Sequence, residues 1–258
     1  LHSHLVWLGT SALDLGAMGV YFYCFRDRDR LLDIFEMSTG QRMHTRYFQI
    51  GGVVEDIPVG FEKKVRDFIT TLNIGIDQYE SLLDRNEIFL IRTKGIGIVS
   101  RERLLELGVT GPLLRASGDA WDLRKEEGYL TYPELDFDVP VGTVGDGYDR
   151  YRVRLTEMRE SLKIVEQCLD QLKPGPVMIE DKKIAWPAKL SIGSDGQGNS
   201  PEHIKKIMAE SMEALIHHFK LVTEGFRVPA GQVYTAVESP KGELGCHTVS
   251  DGGTRPYR

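Results

Sequence analysis

Cysteine is scarce. Cys24, Cys168 and Cys246 are the only three in 258 residues, far apart and never in a C-x-x-C pair. That argues against a disulfide scaffold and a structural zinc. It also argues against an iron–sulfur cluster held by this chain alone, which would take four thiolates. Positive charge is in deficit too, with 32 Lys+Arg against 38 Asp+Glu and a net charge of −6. A nucleic-acid binder would show the opposite balance, gathered into basic stripes. No G-x-S-x-G, Walker loop or H-E-x-x-H occurs. The first 25 residues hold no basic region followed by a cleavage site, so they are not a secretory signal. With so little cysteine, a reducing, cytoplasm-facing location fits best. There is no initiating Met and no tail-like composition at Thr254–Arg258, so we expect an internal piece of a longer polypeptide.

What is present is the composition of a folded protein, 41% hydrophobic and 27% charged. Its length suits one large domain or two small ones; we expect a single domain fragment over 1–258. Leu5 to Phe25 carries one charge, Asp14, and is long enough to suggest a membrane span. Its three glycines, mid-run carboxylate and mixed Arg26–Arg30 flank favour a buried helix instead. The helix continues through Leu31–Phe35 to a stop at Gly40. Apolar residues from Phe61 to Leu83, and again from Tyr148 to Leu172, recur at steps of three and four and predict two amphipathic helices. Ile88 to Val99 reads as a strand, followed by a short helix capped by Ser100 and ended by Gly108. Thr110 to Gly145 reads as irregular or sheet-like. A helix from Ser200 to Gly225 and a hairpin around Ser239-Pro240-Lys241-Gly242 close the pattern. The fold class is mainly α with small β elements.

Asp14 is the most informative residue. A carboxylate inside an apolar helix must be paired, hydrogen-bonded or protonated; a structural hydrogen bond and a proton-handling role both satisfy that. Histidine is the side chain suited to taking up a proton when nearby charge changes, so His44 can have that role, or it can be a satisfied structural histidine. His217 and His218 are adjacent on a helix and cannot share a face as metal ligands. His2 and His4 are discounted, and His247 is isolated. Gly95-Ile96-Gly97 and Gly145-Asp146-Gly147 each lack the third glycine of a dinucleotide fingerprint. Arg26–Arg30 and Arg150–Arg159 carry interleaved acids and read as solvated or interface faces.

Several longer words add a resemblance. They are Ala12-Leu13-Asp14-Leu15-Gly16-Ala17-Met18, Arg42-Met43-His44 with Gly51-Gly52, and Trp121-Asp122-Leu123-Arg124-Lys125. Phe137-Asp138-Val139-Pro140-Val141-Gly142, Gly145-Asp146 with Tyr148-Asp149-Arg150-Tyr151, and Leu215-Ile216-His217-His218-Phe219-Lys220 continue the series. Pro240-Lys241-Gly242-Glu243, Ser250-Asp251-Gly252 and Arg255-Pro256-Tyr257-Arg258 complete it. Together they resemble, in order and over essentially the whole chain, the NuoD family of proton-pumping NADH:quinone oxidoreductase, respiratory complex I. That family descends from the nickel–iron hydrogenase large subunit, so the resemblance implies a helical-bundle core of that type.

The resemblance implies no metal bound by this chain. It implies a quinone substrate reached between this chain and the B subunit of the complex, which carries the terminal 4Fe-4S cluster, and NADH oxidised elsewhere in the complex. The C and I subunits and the H subunit in the membrane are the other implied partners, with no nucleic acid. The implied location is the cytoplasmic side of a bacterial plasma membrane, as a peripheral part of a membrane complex. Asp14 matches the aspartate that relays protons to a quinone-binding histidine preceding Leu1. His44 matches the histidine whose protonation follows the cluster's redox state, and Arg42 lies at the interface near that cluster. Gln49 stands where many relatives have arginine, and Trp186 to Ser200 looks like a loop only some bacterial members carry. The alternatives are a metal-binding hydrogenase-type protein and an assembly component without direct chemistry.

Overall fold

The apolar run near the start of the chain folds as two helices. In the computed structural model, which describes residues 1–49, 51–179, 212, 216, 219–220, 223–225 and 227–258, α1 spans His2–Asp14 and α2 spans Met18–Thr39. The break is a Schellman turn. Gly16 takes φ 93°, its N–H donates to Leu13, and the Ala17 N–H reaches back to Ala12 at 2.7 Å. Among the described residues, no helix is long and apolar enough to cross a membrane. Gly40 ends α2 with φ 72°, as its sequence position predicts.

The two periodic stretches are helices where expected, α3 at Phe61–Leu83 and α8 at Gly147–Gln171. Between them lie α4 (Glu87–Thr93), α5 (Arg101–Glu106), α6 (Pro112–Ala116), α7 (Leu123–Glu126) and one 3₁₀ turn, Tyr132–Glu134. The expected strand at Ile88–Val99 is therefore wrong. Asn86 accepts a hydrogen bond from the Phe89 N–H and starts a helix there, a local cap that outweighs the β-branched composition. Gly95 and Gly97 lie in the loop after that helix, so no strand precedes them. Ser100 caps α5 as expected, accepting from the Arg103 N–H.

The described residues group into two units. The first comprises Leu1–Met43, Pro58–Lys173 and Ala236–Gly245; the second comprises His44–Ile57, Pro174–Thr235 and Cys246–Arg258. In the first unit, Leu5, Leu8, Cys24, Leu72, Ile76, Leu155 and Met158 form one buried core shared by α1, α2, α3 and α8. The Gly-Asp-Gly-Tyr-Asp word builds the start of α8. Asp146 caps it by accepting from the Asp149 N–H, and Asp149 Oδ2 accepts from the N–H groups of Thr143, Val144 and Gly145 at 2.9, 2.6 and 3.2 Å. That word is structural. In the second unit, β1 (Phe48–Gln49) pairs antiparallel with β2 (Gly52–Val53). A Cβ at Gly52 would fall 2.2 Å from the Val177 carbonyl oxygen, so only glycine fits there. The expected hairpin is β3 (Gly231–Ser239) and β4 (Gly242–Ser250). The His217-His218 pair and most of the expected 200–225 helix lie outside the described residues.

Candidate functional site

Asp14 is the last residue of α1 and is exposed. The expectation of a carboxylate inside an apolar helix is corrected here, because Gly16 ends the helix two residues later and frees the carboxylate. Around it, Leu13, Met18 and Phe22 are exposed as well. An acid set among exposed apolar side chains is a surface suited to being covered by further protein, the rest of a longer polypeptide or another chain.

Arg42 follows α2 and folds back onto it. Its guanidinium meets Asp29 at 2.5 Å, Asp33 at 2.6 Å and Glu36 at 3.1 Å. These acids recur at steps of four and three and so share one helix face. Hydrogen bonds to Asp33 and Glu36 hold Arg42 charged more firmly than usual. His44 begins the second unit, exposed, in the turn before β1. Asp14 and Arg42 belong to the first unit.

Among the described residues, a cluster of buried charge forms where sequence patterning discounts the residues or assigns them to solvent. His4 Nε2 lies 2.7 Å from Glu157 Oε2, and Arg115 Nε donates to Glu157 Oε1 at 2.8 Å. Arg115 Nη1 also meets Glu238 at 3.0 Å and the Trp121 carbonyl at 2.9 Å, with Asp122 at 3.6 Å. Arg124 grips Asp122 at 2.6 Å. His4, Arg115, Asp122 and Glu157 are all buried. Burial pulls His4 below the ordinary imidazole range against the opposing hydrogen bond to Glu157. Burial pushes Glu238 above the usual carboxylate range, with Arg115 pulling the other way. Glu157 ends below it: burial alone would raise the carboxyl, but His4 and Arg115 together prevail.

A second buried acid, Asp27, is the exception to the reading of Arg26–Arg30 as a solvated or interface face, since Arg26, Asp29 and Arg30 are exposed. Asp27 is fully buried, accepts the Tyr79 hydroxyl at 2.5 Å and pairs with Arg26 at 2.9 Å. A Cβ on Gly75 would sit 2.7 Å from Asp27 Oδ2, so glycine makes the room. Burial pushes the neighbouring Cys24 thiol up to about 12, with the Asp27 charge adding to it; it is a core thiol and not a nucleophile. Among the described residues, no group of three or more His, Cys, Asp or Glu is arranged to hold a metal ion.

Residues 14–258 match the family described as the respiratory-chain NADH dehydrogenase, 49 kDa subunit. The chain belongs to that family. Among proteins similar to it, the D subunit of NADH-quinone oxidoreductase from Acidothermus cellulolyticus is 59% identical over 256 residues, covering 99% of this chain and 58% of that protein. The D 1 subunit of the Salinispora arenicola enzyme is 57% identical over 258 residues, 100% of this chain and 58% of the relative. The D 2 subunit of the Streptomyces coelicolor enzyme is 56% identical, with coverages of 100% and 59%. The chain thus spans a little over half the length of these relatives. The mainly helical architecture with small sheets agrees with the expected fold class. Neither His4 nor Arg115 was legible as a partner of Glu157, because the His4–Glu157 contact joins positions 153 residues apart.

Proposed function

We propose that this chain is the central part of the quinone-site subunit of a proton-pumping NADH:quinone oxidoreductase, peripheral to the membrane on its cytoplasmic side. With a neighbouring protein that holds the terminal 4Fe-4S cluster, it walls the pocket where quinone takes electrons and protons. The family match from Asp14 to Arg258 carries this reading, supported by an exposed acid set among apolar side chains at the α1–α2 break. Quinone is the substrate, NADH is oxidised elsewhere in the complex, and the B, C, I and H subunits are the partners.

Asp14 and His44 divide the proton work. Asp14, at the C-terminal end of α1, returns protons to the histidine that binds the quinone head group. His44 answers to the cluster's charge. One electron at ~8 Å in an effective dielectric near ~20 favours an imidazolium by about 2 kcal/mol, which is roughly 1.5 pKa units. A histidine near neutrality then gains a proton on reduction. Arg42, fastened by Asp29, Asp33 and Glu36, steadies the chain two residues before His44. The test is the pH dependence of the terminal cluster's midpoint potential in the assembled complex. His44→Met flattens it under this reading; an unchanged slope removes His44 from the role.

A further inference from the structure

A cavity of about 390 Å³ opens in the first unit beside α1. Its walls are mostly apolar, with Trp7, Leu15, Phe89 and Leu113 among them. Three arginines also line it, Arg92, Arg150 and Arg154, and the lining includes no Asp or Glu. Arg154 stacks over the Trp7 ring at 4.0 Å and donates to the Arg150 carbonyl at 2.9 Å. Glu157, the acid whose charge acts on Arg154, already has both oxygens engaged by His4 and Arg115. Arg150 donates through Nη2 to the carbonyls of Gly97 and Gly145, while its Nε is buried with no acceptor among the described residues.

We propose that this cavity binds a small amphiphilic anion, a carboxylate or phosphate group carried on an apolar ring or short chain. A buried donor left without an acceptor costs free energy that an anionic oxygen recovers, and guanidinium is the group best shaped for such oxygens. Burial lowers Arg154 to about 10, the mark of a cation short of counter-charge. The apolar walls set the rest of the ligand: a bare inorganic anion would leave Trp7 and Phe89 facing water, and a neutral apolar molecule would leave the guanidinium donors unmet. The volume lies in the ordinary range for small-molecule sites, roughly 300–1,000 Å³.

The test uses the assembled complex and a para-fluorinated phenylpropanoate, followed by fluorine NMR line broadening. The neutral amide of the same compound and inorganic phosphate are the controls. The wild-type complex broadens the carboxylate line and leaves the amide sharp, and phosphate at equal concentration does not displace the probe. Arg154→Gln and Arg150→Gln each weaken binding about tenfold or more, as loss of a charge-assisted hydrogen bond requires. No broadening in the wild-type complex overturns the proposal, as does equal broadening by the amide. Displacement by phosphate overturns the apolar half of it, leaving a simple anion site. Unchanged affinity in both variants, in complexes that assemble normally, places the binding elsewhere and overturns it too. The amide comparison needs no variant, so a misfolded Arg154→Gln does not shelter the proposal.

Discussion

Two sets of charged residues in this chain behave in opposite ways. His4, Arg115, Asp122 and Glu157 are buried, and each is met by another member of the set. Asp14, Arg42 and His44 are exposed, and among the described residues Arg42 has its charge met by three carboxylates of α2. The difference follows from cost. A charge taken out of water must find partners inside its own fold, whereas a charge left in water is free to be claimed by another chain. The first set therefore holds this chain together, and the second is the set available to an assembly.

Changes in the two sets should differ in kind as well as size. Arg115→Met leaves Glu157, Glu238 and Asp122 without their common cation, and the expected loss is about 3–5 kcal/mol, read as a lower melting temperature or failed assembly. A loss under ~1 kcal/mol would mean the buried charges are hydrated and the contrast is false. Gly75→Ala drives a methyl onto Asp27 Oδ2, and overpacking of that kind is expected to cost about 1–3 kcal/mol. Adding Asp27→Asn should change that cost measurably, since the two sites touch.

The pH response gives a sharper division. His4 is lowered in the folded state. As pH falls below the unfolded value near ~6.5, the unfolded chain therefore binds a proton that the folded chain refuses, and stability declines until the folded value is passed. Glu238 is raised, so its contribution has the opposite sign: it is full below the unfolded carboxylate value and is lost as pH rises through the folded value. His4→Gln should flatten the decline on the acid side of neutrality, and Glu238→Gln should remove the loss on the rising side. Both are checked by denaturant melts across pH. The smallest effect belongs to the exposed set: Arg42→Gln is expected to leave the melting temperature close to that of the wild type, because exposed ion pairs contribute little.

The sequence showed the long elements well and the charged interior poorly. α3 and α8 announce themselves because one apolar stripe repeats at helical spacing over 23 and 25 residues. Local signals also carried, as at Gly40, Ser100 and the Pro240-Lys241 turn. The Ile-rich 88–99 stretch misled because its isoleucines face outward: Ile88, Ile91, Ile96 and Ile98 are exposed. α8 misled differently. Besides the stripe through Tyr151, Leu155 and Met158, it buries a second one through Val153, Glu157 and Glu160. Acids on a second stripe look like a solvated face, and that is how Arg150–Arg159 reads in the sequence. Burial of Glu157 depends on partners far off in sequence, which spacing does not reveal. At Asp14 the apolar run concealed a turn whose signal, Gly16, was in plain view.

The most direct measurement compares two activities of the assembled complex carrying Asp14→Asn. NADH oxidation by an artificial acceptor reports electron entry, and NADH-driven quinone reduction reports the last step. The account predicts an unchanged first activity, normal assembly of the complex, and quinone reduction down about tenfold or more, as expected when a proton-transfer group is removed. Full quinone reduction in a normally assembled Asp14→Asn complex would contradict it and leave this surface as a contact between proteins of the complex.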